Sequence, residues 1–241
     1  MNIIDVHARI ERDPLTREYK IEKLLADMKH NSIEERWISC FDGESMQEQN
    51  DLVVMLSEKY SQLKPCITLN PRLDSSKLEI ARISKKATVK MIEFDSVDNG
   101  YYPESQWFNI IPILEQCREK GIVVKVFSGS TNRGAPDSWR KYFEKFIDLK
   151  FIIEHIGAGD YQYGTIDLVK EFPNLYLETS VACEKPALKR ALREIGVEKL
   201  LFGSHYPDYI TELEILKFED YDLTEKELES IFETNARKLL Y

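Results

Sequence analysis

The chain has 241 residues, 43% hydrophobic and 31% charged, which supplies core enough for one large α/β domain or two small ones beneath a polar exterior. Its formal net charge of −9 excludes the basic footprint of nonspecific nucleic-acid binding, and no apolar run reaches the roughly 18 residues of a membrane span. Residues 1–13, MNIIDVHARIERD, lack the basic start and long apolar core of a secretory signal, and Cys40, Cys66, Cys117 and Cys183 form no CxxC pair, so reduced, buried thiols of a cytoplasmic protein are expected.

In chain order, short apolar runs alternate with longer amphipathic ones. Strands are predicted at residues 2–6, 36–41, 65–69, 88–94, 122–127, 151–155, 175–179 and 199–203, each rich in Val, Ile, Leu or Phe with little alternation, as for strands buried on both faces. Helices are predicted at 21–30, where Ile21, Leu24, Leu25 and Met28 share a face, then at 49–60, 75–84, 107–120, 138–146, 165–172 and 185–195. Trp107 opens the fourth of these as a core residue. Gly121 and Gly196 follow basic last turns as helix-ending glycines. A final helix or helix pair covers 223–240, opened by a Thr224/Glu227 capping box. Eight strands interleaved with helices predict a single-domain (β/α)8 TIM barrel over residues 1–241. A doubly wound open sheet competes, but the chain has no GxGxxG turn.

In such a barrel the site lies at the C-terminal ends of the strands. Three of the four histidines fall at predicted strand exits: His7 after strand 1, His155 after strand 6 and His205 after strand 8. They are read as one shared site, while His30, closing a helix, is read as a cap or surface residue. A period of two puts Asp5, His7 and Arg9 on one face of strand 1. Lys90 is carried by strand 4 and Lys125 by strand 5, where the parity that aims Phe127 inward also aims Lys125 inward. A buried ammonium needs a partner, and Asp5 is the expected one. Between Phe127 and Ser138 the Gly-, Asn- and Pro-containing GSTNRGAPD reads as a loop over the mouth, with Arg133 placed to close on an anion or simply solvated. Tyr161, Tyr163, Tyr206 and Tyr209 form an aromatic rim or pack between loops.

The segments IIDVHAR, VKMIEF, GIVVKVFSG, LKFIIEHIGAGD, NLYLETS, LLFGSHYP and ETNARKLL occur in the order that resembles the amidohydrolase-2 family, from Asn2 to Leu240. The resemblance implies a TIM-barrel metal-dependent hydrolase or decarboxylase. Its metal would be held by a His-x-His on strand 1, a histidine after strand 5 and an aspartate after strand 8, with a strand-6 histidine on substrate or water. His7 and His155 match that pattern. Arg9, Phe127 and His205 stand where it implies histidine, histidine and aspartate. Arg9 has no lone pair to offer an ion, and with the inward lysines it makes the pocket net positive.

The expected function is therefore a small-molecule hydrolase acting on an amide, lactone or ester of an anionic substrate, with an altered or absent metal site. Arg9, Lys90, Lys125 and Arg133 would hold the anion, His205 would be the base, His155 a second acid/base or oxyanion donor, and His7 would orient the substrate. Either no cofactor is bound, or a single divalent metal such as zinc sits on His7, His155 and His205, in the rebuilt form with an acidic residue such as Glu154 or Glu178. The alternatives are a non-catalytic small-anion-binding homologue and a zinc-dependent hydrolase or decarboxylase on the rebuilt three-histidine site. Neither nucleic acid nor membrane is an expected partner, and the chain is expected as a monomer or homodimer.

Overall fold

A computed structural model describes residues 2–105, 109–182 and 184–241; Trp107 and Cys183 lie outside the described residues. Eight strands run in parallel and in sequence order: β1 Ile3–Arg9, β2 Ile33–Ser39, β3 Leu63–Thr68, β4 Met91–Phe94, β5 Val123–Val126, β6 Phe151–Ile153, β7 Leu175–Glu178 and β8 Leu200–Leu201. Between and after them lie α1 Ile21–His30, α2 Met46–Lys59, α3 Ser76–Ile83, α4 Ile110–Lys120, α5 Arg140–Lys145, α6 Gln162–Glu171, α7 Lys185–Glu194, α8 Thr211–Leu216, α9 Glu225–Glu229 and α10 Asn235–Leu240. The sheet closes on itself: Val6 N–H donates to Phe202 O at 3.0 Å, His205 N–H to His7 O at 2.9 Å and Arg9 N–H to Tyr206 O at 2.7 Å. The expected (β/α)8 barrel is what forms.

Local chemistry sets the helix ends. Gly121 takes a left-handed φ of 64° and ends α4 at no Cβ cost. Thr224 and Glu227 bond reciprocally to open α9. The terminal segment is not one continuous helix: a π-helical turn, Ser230–Thr234, separates α9 from α10. The six-residue α8 was not among the predicted elements, being short and carrying exposed Leu213 and Leu216 instead of an apolar face.

Inside the barrel, Ile4, Val6, Trp37, Cys66, Met91, Val123, Ile152 and Leu201 pack together with Ala236 and Leu240 from α10, and Tyr176 rests against them. Every strand thus contributes to an apolar floor, closed below by the last helix. The other parity, including Ile67, Ile92, Val124, Ile153 and Leu177, packs outward into the main core against the helices. Cys40, Cys66 and Cys117 are buried free thiols, as expected.

The first strand departs from simple alternation. The β1–β2 register slips between Asp5 and Ala8, so three steps on β1 match two on β2. Such a bulge resets which face a side chain takes. Asp5 consequently does not share a face with His7 and Arg9. Its carboxylate accepts from Arg36 Nε at 2.8 Å and from Ser204 Oγ at 2.6 Å, and Arg36 reaches on to Asp27 of α1 at 2.7 Å.

Candidate active site

Above the apolar floor, strand parity lifts a polar layer. Met91 and Val123 belong to the floor, so Glu93 and Lys125 two residues on point to the same interior; Ile152 likewise leads to Glu154. Glu93 and Lys125 are direct register partners, with Lys125 Nζ 2.8 Å from Glu93 Oε2. Lys125 also lies 2.7 Å from His7 Nδ1 and 3.4 Å from Glu154 Oε1. Glu93, Glu154 and His7 are therefore its partners and Asp5 is not, because the bulge has sent Asp5 outward. Burial works against the Lys125 charge, but Glu93, Cys66 and Glu154 more than offset it and raise its pKa. Glu93 is held down at about 2: burial opposes its charge, while Lys125 and Arg9 favour it.

The three expected histidines meet directly above this layer. His7 Nε2 is 2.6 Å from His205 Nδ1 and 3.2 Å from His155 Nε2, and His155 Nε2 is 2.9 Å from His205 Nδ1. Their delivery depends on unusual backbone. His155 and Ile156 both take left-handed conformations, φ 61° and 49°, and His205 does so at φ 50°. Glu178, at the end of β7, holds the first of these turns by accepting from His155 N–H at 2.9 Å while it also binds the Ser180 hydroxyl and amide. Gly203 leaves room for that carboxylate, into which a Cβ would run.

The hydrogen-bond partners fix where the ring protons sit. An ammonium only donates, so Lys125 makes His7 Nδ1 an acceptor and leaves the His7 proton on Nε2. A carbonyl only accepts, so Ser128 O, 3.2 Å from His155 Nδ1, leaves the His155 lone pair on Nε2. Asp208 Oδ2, 3.4 Å from His205 Nε2, favours a lone pair on His205 Nδ1. Two lone pairs therefore face each other at 2.9 Å with one N–H alongside. All three imidazoles are kept from protonating. Burial is the main cause for each, with Lys125 next for His7, His205 for His155 and Arg9 for His205, whose pKa falls to about 4.

Such a cluster attracts a cation, and a metal ion fits it. The three nitrogens could hold one together. His155 and His205 each direct the opposite ring nitrogen at a carbonyl or carboxylate, the usual outer partner of a ligating histidine. For His7 the nearest carboxylate is Glu154, 3.4 Å from Nδ1, while Lys125 stands closer to that nitrogen at 2.7 Å. Both Glu154 oxygens are buried without a hydrogen bond among the described residues. Burial and then Glu93 push the Glu154 carboxyl well above the usual range.

The pocket is not net positive. Arg9 donates to Glu93 at 3.2 Å, Asp95 at 2.5 Å and Asp98 at 2.9 Å, so three carboxylates face Arg9 and Lys125. Of the other expected residues, Lys90 precedes β4 and so stands at the far end of the barrel from the histidines; the strand begins at Met91, later than predicted. Arg133 is exposed in the turn Asn132–Gly134, its guanidinium 5.6 Å from the Tyr102 ring. Phe127 packs edge-on against His155 at 5.1 Å, and Tyr209 lies 5.4 Å from the His205 ring. Tyr163 instead carries Arg190, and Tyr206 carries Arg36. His30 is exposed, as expected. Glu93, Asp95, Asp98 and the anchoring role of Glu178 were not anticipated. Parity from Met91 would have flagged the first two.

No curated protein matches the chain. An uncharacterized TIM-barrel protein from Bordetella bronchiseptica is 18% identical with a TM-score of 0.81, over 100% of this chain and 98% of that one. Amidohydrolase 2 from Bifidobacterium longum subsp. infantis is 19% identical with a TM-score of 0.73, covering 99% and 98%. A 5-carboxyvanillate decarboxylase from Novosphingobium aromaticivorans, complexed with manganese and 4-hydroxy-3-methoxy-5-nitrobenzoic acid, is 16% identical with a TM-score of 0.70, covering 90% and 79%. At these identities the likeness speaks for the fold. The family model described as amidohydrolase matches residues 4–241, and with it the chain belongs to the amidohydrolase-2 family.

Proposed function

We propose that the chain is a hydrolase of small anionic molecules, cleaving an amide, lactone or ester, whose reacting centre is His7, His155 and His205 holding one divalent transition-metal ion. The observation that carries this reading is the approach of three neutral imidazole nitrogens to within 3.2 Å of one another, with two facing lone pairs and one N–H between them. An ion there would polarise a scissile carbonyl and make its bound water acidic enough to ionise near neutrality. An all-imidazole set suits zinc, copper or nickel better than manganese, which favours oxygen ligands.

The remaining work falls to the chain. His205, held neutral with its pKa near 4, is better suited to ligation than to acting as a general base, which works best with a pKa near the operating pH. Asp208 and Ser128 O keep the proton-bearing nitrogens of His205 and His155 turned away from the centre. Ligation through all three residues asks His7 to carry its proton on Nδ1, with Lys125 turned from that nitrogen onto Glu93 and Glu154 as the acceptor. His7 and His155 are nearly sealed from water, leaving His205 and Arg9 as the substrate's points of contact.

Elemental analysis of protein purified without chelators tests the centre. About one equivalent of zinc is expected, and its loss in His205→Ala. Full turnover by zinc-free protein would overturn the ion's place in the reading. A panel of lactones, esters, amides and acidic ring compounds tests the reaction: release of CO2 would redirect it to decarboxylation. Tight binding of a dicarboxylate with no turnover and no metal would identify an anion-binding protein instead.

A further inference from the structure

Arg9 is gripped by three carboxylates that differ in how firmly they hold it. Its NH2 is shared by Glu93 and Asp95, whose side chains are 0% and 1% exposed. Its NH1 is held by Asp98, whose side chain is 47% exposed. The Phe41 ring lies 4.3 Å from the guanidinium carbon and fixes the plane of the group. The buried Nε has no partner among the described residues. The charge is thus compensated from within the barrel and open toward the mouth.

Asp98 stands on a turn that does not need its carboxylate. Asp95 Oδ1 accepts from the Val97 and Asp98 amides at 2.8 Å each, and Asn99 Nδ2 donates to Asp95 O at 3.0 Å. The Asp98 side chain can therefore leave by a rotamer change while the backbone stays anchored.

We infer that Asp98 is a displaceable stand-in for the substrate's carboxylate: it occupies Arg9 NH1 in the free protein and gives way when an anionic ligand enters. This rests on the reading of the mouth as an anion-accepting site. Magnitudes decide which partner yields. An exposed ion pair contributes little, whereas removing a buried partner strands an uncompensated charge. Asp98 can exchange; Glu93 and Asp95 cannot. The exchange is one carboxylate for another, so an uncharged ligand, which cannot replace the displaced charge, is disfavoured.

Calorimetric titration of the full chain with benzoate, and with benzamide as the uncharged control, tests the inference. Asp98→Ala is expected to bind benzoate about fivefold more tightly than the wild type, with benzamide unaffected. Arg9→Met should lose benzoate binding by tenfold or more, and adding Asp98→Ala to it should restore nothing. Asp98→Ala alters an exposed side chain, so its result stands even if Arg9→Met folds poorly. Equal or weaker benzoate binding by Asp98→Ala, or no benzoate binding by any of the proteins, would overturn the inference. Failure of the hydrolase reading shows separately, as absence of zinc and of turnover alongside an intact Asp98→Ala gain.

Discussion

His205 brings to the exit of β8 an imidazole that burial keeps neutral, and this shapes how the molecule answers to acid. In the metal-free protein, all three imidazoles of the cluster titrate below their ordinary value, His205 at about 4. The unfolded chain takes up protons near pH 6.5 that the native state refuses. The stability tied to these groups is therefore full above about 6.5 and is lost as pH falls toward the folded values. For His205 alone the loss approaches about 3 kcal/mol by pH 4. Glu154 and Glu178 act in the opposite sense. Burial is the main cause of both raised values, Glu178 reaching about 7, so each keeps a native proton that the unfolded chain releases from its ordinary pKa upward. Asp95, raised chiefly by burial, joins them, so the imidazole share is read by difference against a variant that lacks it. Between pH 6.5 and 5, urea unfolding of chelator-treated protein is expected to lose about 1–3 kcal/mol more stability than that of a His7→Gln/His205→Gln variant. A wild-type profile no steeper than the variant's would contradict a neutral cluster.

At the scale of the elements, much of the site was legible because strand parity is rigid. Val123, Lys125 and Phe127 alternate as their spacing requires, and the three histidines at strand ends converge as expected. Three features were not legible. The β1 bulge has no glycine or proline to announce it, so Asp5 was placed on the face of His7. The start of β4 at Met91 removed Lys90 from the mouth and put Glu93 inside, because Thr88 and Val89, both strand-favouring residues, make the approach to β4 look like the strand itself. The left-handed turn at His155 and Ile156 is the third, since a β-branched residue there is disfavoured by its own backbone and is held by tertiary contacts. Glu178 supplies one of those contacts. Glu178→Gln puts a donor among the donors of His155 and Ser180 and should cost about 1–3 kcal/mol in urea unfolding, with zinc content falling in parallel. Unchanged stability and metal content together would show that the turn holds without its anchor.

At the scale of the molecule, barrel, strand order and family were readable from segments spread over the whole length, since each strand exit carries its own short signature. The seam where the last strand meets the first was not, because it joins residues about two hundred positions apart. The buried pair of Asp5 on β1 and Arg36 on β2, both side chains 0% exposed, anchors it: Ser204, just past β8, donates to Asp5, and Arg36 reaches Thr211 and Asp27. Screening ions cannot enter there, while at the mouth they can reach the pair of Arg9 with Asp98. In 1 M sodium chloride, where screening acts over about 3 Å, the urea midpoint should stay close to its low-salt value. Arg36→Met, which leaves Asp5 buried without its cation, should cost about 3–5 kcal/mol at either ionic strength. A steep fall in stability with salt would instead assign closure to surface pairs. Ionic strength thus becomes a selective handle on the protein, loosening the charges at its entrance while the joint that makes it a barrel stays shut.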